Sequence, residues 1–288
     1  MPTMTSLMTD PAAHQTILFF VSIVAGAIGS ALGLGGGIVI IPTLTLIFKV
    51  DIRYAVGASI VAVIATSSSA AATYVKDHMC NIRVAMLLEV ATTVGAITGA
   101  FMAPYIPPQY LYALFTIVLL YSSISMWKGR KQDLGGKLVE GDPLATRLAL
   151  NSSYFDKALG RVVSYHVTNV KLGFGLMLGA GVLSALLGIG SGALKVPAMD
   201  RAMRLPIKVS TATSNFMIGV TAAASAGLYF MRGDILPELA APTALGVFVG
   251  SFFGTRFLSK APSHIIRILF VVVLTFIAIQ MGMKALGY

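Results

Sequence analysis

Two stretches decide how this chain is read: Gly33-Leu34-Gly35-Gly36-Gly37-Ile38-Val39-Ile40-Ile41-Pro42 and Gly188-Ile189-Gly190-Ser191-Gly192-Ala193-Leu194-Lys195-Val196-Pro197. Each lies inside a long apolar run, where clustered glycines and a following proline unwind a helix and leave backbone groups without intrahelical partners. A constant offset, the one that sets Gly192 on Gly37, keeps the two halves aligned without a gap from Gly33 to Phe115. It places Ser214 on Ser59, Thr221 on Thr66, Tyr229 on Tyr74, Gly250 on Gly95, Gly254 on Gly99 and Pro262 on Pro107. The chain is an internal duplication. Glycine-interrupted apolar segments at matching places in two halves are the sequence mark of a binding region in membrane carriers.

Composition sets the class. At 288 residues, 56% hydrophobic and 11% charged, with a mean hydropathy of +0.84, the chain has too little polar surface to coat a soluble globule. It reads as an all-α, polytopic transmembrane bundle whose partner is the lipid bilayer. The formal charge of +10 does not point to nucleic acid, because the Lys and Arg residues lie almost entirely in loops between apolar runs, the positive-inside pattern. Cys80 is the only cysteine. That rules out an internal disulfide and a cysteine-rich zinc site, and no other spacing suggests a metal or a cofactor. Met1 to Gln15 holds no Lys or Arg, so it lacks the basic region of a cleavable signal peptide, and the first apolar run is expected to be retained.

In chain order, the run from Ile17 to Phe48 exceeds the roughly 20 residues of one span, and the glycines divide it into a nearly spanning piece and a half-helix. Further spans are expected at Tyr54 to Val75, Val84 to Ala103 and Tyr110 to Trp127, completing a first repeat over 1–127. A basic linker, 128–171, is expected to be cytoplasmic, and within it Pro143 to Val163 reads as an amphipathic surface helix. The second repeat, 172–288, repeats the order with a broken run from Leu172 to Met199 and spans at Ile207 to Phe230, Leu236 to Leu258 and Ile265 to Leu286. If each broken run crosses the membrane, Arg201, Arg204, Lys208, Arg256, Lys260 and Arg267 fall outside. If the chain instead reverses at the glycines, only Lys49, Arg53, Arg232 and Lys284 remain outside. The second arrangement satisfies the charge rule better and makes the halves inverted copies with re-entrant segments.

A helix that begins inside a membrane presents unpartnered N–H groups and partial positive charge, which suits an anion. Gly35, Gly36, Gly37, Gly190, Ser191 and Gly192 are the candidate backbone contacts, and Lys195 the candidate charge. An intramembrane lysine faces a cavity or a partner, or else snorkels to the interface. Ser59, Thr213, Ser214 and Asn215 are candidate neutral donors, with interhelical hydrogen bonding as their alternative role. Glu89 and Asp200 are the acids placed to carry a coupling proton. His14, His78, His166 and His264 all fall in termini or loops, outside the apolar runs, and form no reactive constellation, so hydrolytic or redox chemistry is not expected. The Gly95/Gly99 and Gly250/Gly254 pairs read as helix-packing positions.

At these motifs the sequence resembles the sulfite exporter TauE/SafE family, also called the toluenesulfonate uptake permease family. Gly33 to Pro42 is similar to its first glycine signature, Gly188 to Pro197 with Lys195 to its second, and Thr211 to Ala222 to its second-half pattern. Ser191 stands where the family more often has glycine. The resemblance implies transport of sulfite, sulfoacetate or other organosulfonates across the bacterial inner membrane, and leaves a homo-oligomer open. An inside-negative potential favours export by roughly 2.3 kcal/mol per charge per 100 mV, so an exporter needs no coupling ion and an importer does. The scarcity of buried acids leans towards export. The alternatives are an ion-coupled uptake permease and a non-transporting assembly factor in sulfur metabolism.

Overall fold

The computed structural model describes residues 11–129 and 142–286. Its elements are α1 (Pro11–Leu32), α2 (Gly37–Pro42), α3 (Ile52–Lys76), α4 (Ile82–Met102), α5 (Pro108–Gly129), α6 (Pro143–Arg147), β1 (Ser152–Asp156), β2 (Arg161–Tyr165), α7 (Val170–Leu187), α8 (Gly192–Pro197), α9 (Ile207–Met231), α10 (Pro237–Lys260) and α11 (Ser263–Ala285). Six of the helices, α1, α3, α4, α5, α7 and α11, are long and apolar enough to cross a membrane, and α9 and α10 are of similar length. Phe20, Phe101, Ile117, Phe253 and Phe276 stand exposed on the outside of the bundle, as lipid-facing side chains do. The chain is a multi-pass membrane protein.

The two glycine stretches break the helices as the sequence implies. α1 ends at Leu32 and α7 at Leu187, each followed by a short turn and then a six-residue helix. Pro42 and Pro197 close those short helices. Neither proline has an N–H to continue the ladder, and beyond each the coil widens into one π-helical stretch, Thr43–Ile47 and Ala198–Ala202. After these stretches the chain is back beside its own starting point. The Phe48 ring lies against His14 of α1, with centroids 4.5 Å apart. In the second half the Thr168 N–H donates to the Met203 carbonyl at 3.1 Å, and Asn169 Nδ2 donates to the Ala202 carbonyl at 3.0 Å.

Helix packing crosses between the halves. Gly246, Gly250 and Gly254 of α10 face the backbones of Phe19, Ile23 and Ala27 of α1 in ascending order, so the two helices run parallel. Gly95 and Gly99 of α4 face Leu178 and Val182 of α7 in the same way. Small residues allow this approach, and any β-carbon there would enter a neighbouring carbonyl. The first long helix of each half is thus docked on the third long helix of the other. At the centre α3 crosses α9: the Ser67 hydroxyl donates to the Asn215 carbonyl at 2.5 Å and accepts from the Gly219 N–H at 3.1 Å. The start of α3 at Gly57 meets Asp234, which follows α9, whereas Asn81, which follows α3, meets Thr213 near the start of α9. The two helices therefore run in opposite directions.

The amphipathic helix expected over Pro143 to Val163 is not formed. The helix there lasts five residues, Pro143–Arg147, and the chain then enters an antiparallel hairpin pairing Ser152 with Tyr165 and Asp156 with Arg161. The sequence contains the reason: Tyr154, Val162, Val163 and Tyr165 are strand formers, and Leu159-Gly160 supplies a turn in which Gly160 has φ 64°. The hairpin is docked on the bundle. Asn81 Nδ2 donates to the Leu150 carbonyl and to the Tyr165 hydroxyl, and Lys208 Nζ donates to Asp156 Oδ1 at 2.7 Å, with both side chains at most 2% exposed. Burial alone would raise the Asp156 carboxyl. The Lys208 ammonium, the Ala158 N–H and the Tyr154 hydroxyl outweigh that and hold it below its ordinary value. Burial also pushes the nearby Cys80 thiol up to about 11, against a hydrogen bond with Thr213 that lowers it, which leaves it a poor nucleophile at neutral pH.

Two outcomes are expected. Gly250→Leu drives a side chain into the Ile23 carbonyl and costs at least about 2 kcal/mol, read as a lower melting temperature of the detergent-solubilised protein. Removing one partner of the buried hairpin pair, as in Lys208→Met, costs about 3–5 kcal/mol, and the double change Lys208→Met with Asp156→Leu recovers most of it. Because the folded Asp156 carboxyl lies below its unfolded value, its contribution is complete above about pH 4 and is lost as pH falls through the lower folded value. Limited proteolysis of the hairpin against pH measures this.

Candidate functional site

The site is built by backbone meeting backbone. Gly33 and Gly188 have φ of 72° and 65°, conformations open to glycine without strain, and they turn the chain out of α1 and α7. The two turns then interlock. A β-carbon on Gly192 would enter the Gly33 carbonyl, and one on Gly37 would lie 2.9 Å from the Gly188 carbonyl oxygen. Val63 of α3 and Ile218 of α9, which are equivalent positions, sit against both Gly35 and Gly190.

The carbonyls freed by the turns are met crosswise. Ser59 of α3 donates to the Gly188 carbonyl at 2.6 Å, and Ser214 of α9 donates to the Gly33 carbonyl at 2.7 Å. One turn back, Tyr74 donates to Ser30 at 2.9 Å and Tyr229 to Ala185 at 2.6 Å. Asn215 Nδ2 also donates to Ser30, at 2.7 Å. Each bond of one half has its equivalent in the other except that of Asn215. Three of the four neutral donors read from the sequence, Ser59, Ser214 and Asn215, are thus committed to backbone carbonyls. Thr213 accepts from the Asn81 N–H and stands away from the turns. Two fully buried polar atoms of α9, Thr211 Oγ1 and Asn215 Oδ1, have no hydrogen-bond partner among the described residues; Thr211 lies against Gly33.

Lys195 of α8 is fully buried and does not snorkel. Its ammonium lies 3.4 Å from Glu89 Oε2 of α4 and 2.5 Å from Thr221 Oγ1 of α9, and the Thr221 hydroxyl lies 2.6 Å from Glu89 Oε1. Lys195 and Glu89 are therefore brought together, although no acid adjoins Lys195 in sequence. Asp200 is held elsewhere: both its oxygens accept from Arg267 of α11, at 2.8 and 2.9 Å, in a pair at most 4% exposed. Thr66, the counterpart of Thr221, donates to the Ala62 carbonyl of its own helix, while Ser69 pairs with Ser251 and so joins α3 to α10.

Ser191 differs from its counterpart Gly36. Its φ is 57°, the left-handed region, where Gly36 has −60°, and its hydroxyl donates to the Gly190 carbonyl at 2.7 Å. The partners that sequence reasoning missed are Thr221, Tyr74 and Tyr229, whose signal was their matching across the duplication, and Arg267, which it counted only as a basic residue near the start of the last span. Ser191→Gly is expected to raise stability by about 1 kcal/mol by removing the left-handed strain. Ser59→Ala and Ser214→Ala are each expected to lower it by about 1–3 kcal/mol, and by similar amounts, because each leaves one buried turn carbonyl unpaired. Thermal unfolding in detergent reads all three.

Comparison with known proteins covers almost the whole of this architecture. The chain is 27% identical over 272 residues to "Probable membrane transporter protein YunE" of Bacillus subtilis, covering 92% of this chain and 96% of that one. It is 25% identical over 252 residues to "Probable membrane transporter protein YdhB" of the same organism, covering 87% of this chain and 91% of the other. A similar protein of Sinorhizobium, also named a probable membrane transporter, is 25% identical over 279 residues, 95% of each chain. No solved structure matches. The family described as sulfite exporter TauE/SafE matches residues 18–281, a stretch that contains both glycine turns, Lys195 and Glu89, and the chain belongs to that family of membrane transporters.

Proposed function

We propose that this chain is a secondary carrier that moves small sulfur-containing anions (sulfite, sulfoacetate or other organosulfonates) across the bacterial inner membrane, with export favoured. The observation that carries this reading is Lys195: a fully buried cation, three residues beyond the glycine of an interlocked turn, balanced by one carboxylate at 3.4 Å. The N–H groups that open α2 and α8 supply further partial positive charge there. Thr211 and Asn215 of α9 add buried polar atoms without partners among the described residues, with Thr211 against Gly33.

In this reading the two repeats, 1–127 and 172–288, are inverted copies whose broken helices are re-entrant. The return of Phe48 to His14 and of Met203 to Thr168 supports that arrangement, as do the opposite directions of α3 and α9. The linker 128–171 is then cytoplasmic. Arg83, Lys157, Arg201, Lys208 and Arg267 all make contacts at its end of the bundle, whereas Arg232 bonds the Ala100 carbonyl and Asp234 at the other. Asp200 is the weaker candidate for a coupling site because Arg267 neutralises it bidentately. The presence of Glu89 beside Lys195 favours one second reading, uptake coupled to a proton carried on Glu89.

Proteoliposomes tested with sulfite, sulfoacetate, taurine, thiosulfate and sulfate separate the readings. The expected result is a substrate-dependent current that falls at least ten-fold in Lys195→Ala. No current from folded protein with any of these anions overturns the carrier. Transport that requires an inward proton gradient, and loses that requirement in Glu89→Gln, establishes the uptake reading.

A further inference from the structure

The duplication provides an internal control for the buried charge. Position for position, Lys195, Thr221 and Glu89 in the second site correspond to Ile40, Thr66 and Ala244 in the first. Ile40 is 2% exposed and belongs to an apolar cluster with Ala62 and Val247. The same fold thus packs that place without charge. A buried ion pair is a poor source of stability compared with apolar packing, because desolvation of both ions offsets their attraction. The pair in the second half is therefore not something the architecture needs.

Resting on the carrier reading above, we propose that Glu89 is a tethered counter-anion, which holds the substrate's place on Lys195 and is displaced when a singly charged anion arrives. The geometry suits a partner that leaves. The Lys195 to Glu89 separation of 3.4 Å is loose beside the 2.7 Å of Lys208 to Asp156 and the 2.8 Å of Arg267 to Asp200. The Glu89 side chain is 13% exposed, against at most 4% for the carboxylates of those two pairs, so it is less enclosed than they are. Thr221 bonds both ions and can keep its bond to Lys195 while the carboxylate swings away. Among the described residues, Lys195 is the one charged group bonded to Glu89; its other neighbours there are the hydroxyls of Thr93 and Thr221.

One cation exchanging one carboxylate for one ligand fixes the ligand's charge. A monoanion restores the balance of the site, while a dianion leaves surplus negative charge in a low-dielectric interior. The site thus selects sulfonates with a single charge, or bisulfite, over sulfate and other dianions, sulfoacetate among them, and narrows the substrate class proposed above accordingly.

The test reads binding, through ligand-induced shifts in melting temperature of the purified carrier, with methanesulfonate and sulfate as probes. The wild type is expected to bind methanesulfonate at least ten-fold more tightly than sulfate. Glu89→Gln, which frees Lys195 of its competitor, is expected to bind methanesulfonate at least ten-fold more tightly than the wild type and to keep the preference for methanesulfonate over sulfate, because Lys195 still balances only one negative charge. The double variant Lys195→Ile with Glu89→Ala, which copies the first half, is expected to fold with a melting temperature near the wild type's and to bind neither probe. Equal or weaker binding by Glu89→Gln, a wild type that prefers sulfate, or a double variant that does not fold each overturns the inference. A wild type that carries anions while failing these tests leaves the carrier standing without a tethered counter-anion, and a wild type that neither binds nor carries any anion removes both.

Discussion

A helix broken open in the interior of a membrane protein must have its freed carbonyls met by protein, because lipid offers no hydrogen bonds. This molecule makes that demand twice, at Gly33 and Gly188, and answers each with a serine from the other half. The remaining architecture follows from that exchange. Ser59 can reach Gly188 only if α3 lies against the second turn, and Ser214 can reach Gly33 only if α9 lies against the first. The two central helices therefore cross between the turns, and the turns meet each other with no side chain intervening at Gly37 and Gly192.

Much of this was legible in the sequence because the duplication recorded it. The breaks at the glycines, the long helices, and the packing role of Gly95, Gly99, Gly250 and Gly254 are local properties, carried by residues whose spacing is enough to read them. The matched pairs Ser59/Ser214 and Tyr74/Tyr229 also stood in plain sight, but their task did not. A hydroxyl that binds an anion and one that binds a carbonyl look alike in sequence, and only the positions of Gly33 and Gly188 show which is which.

What escaped was set by contacts distant in the chain. Glu89 meets Lys195 across 106 positions, and Asp200 meets Arg267 across 67, so no window of sequence joins either pair. The hairpin after α6 was misread for a different reason. The basic, polar residues there hid a short alternation, buried at Tyr154 and Asp156 and exposed at Phe155, that a helical period cannot produce. A buried aspartate within a strand becomes intelligible only once Lys208 is seen beneath it.

The parallel docking of α1 on α10 and of α4 on α7 bears on how such a molecule can move. Repeats of a carrier are often pictured as two bodies rocking against each other. Here each repeat has lent its leading helix to its twin, along contacts too close to admit even a methyl group. The unit that evolution copied is therefore not the unit that mechanics can shift as a block. The closest helix contacts tie the chain into two mixed pairs, α1 with α10 and α4 with α7. Between those pairs α3 crosses α9, and it is Thr221 of α9 that bonds both Lys195 and Glu89.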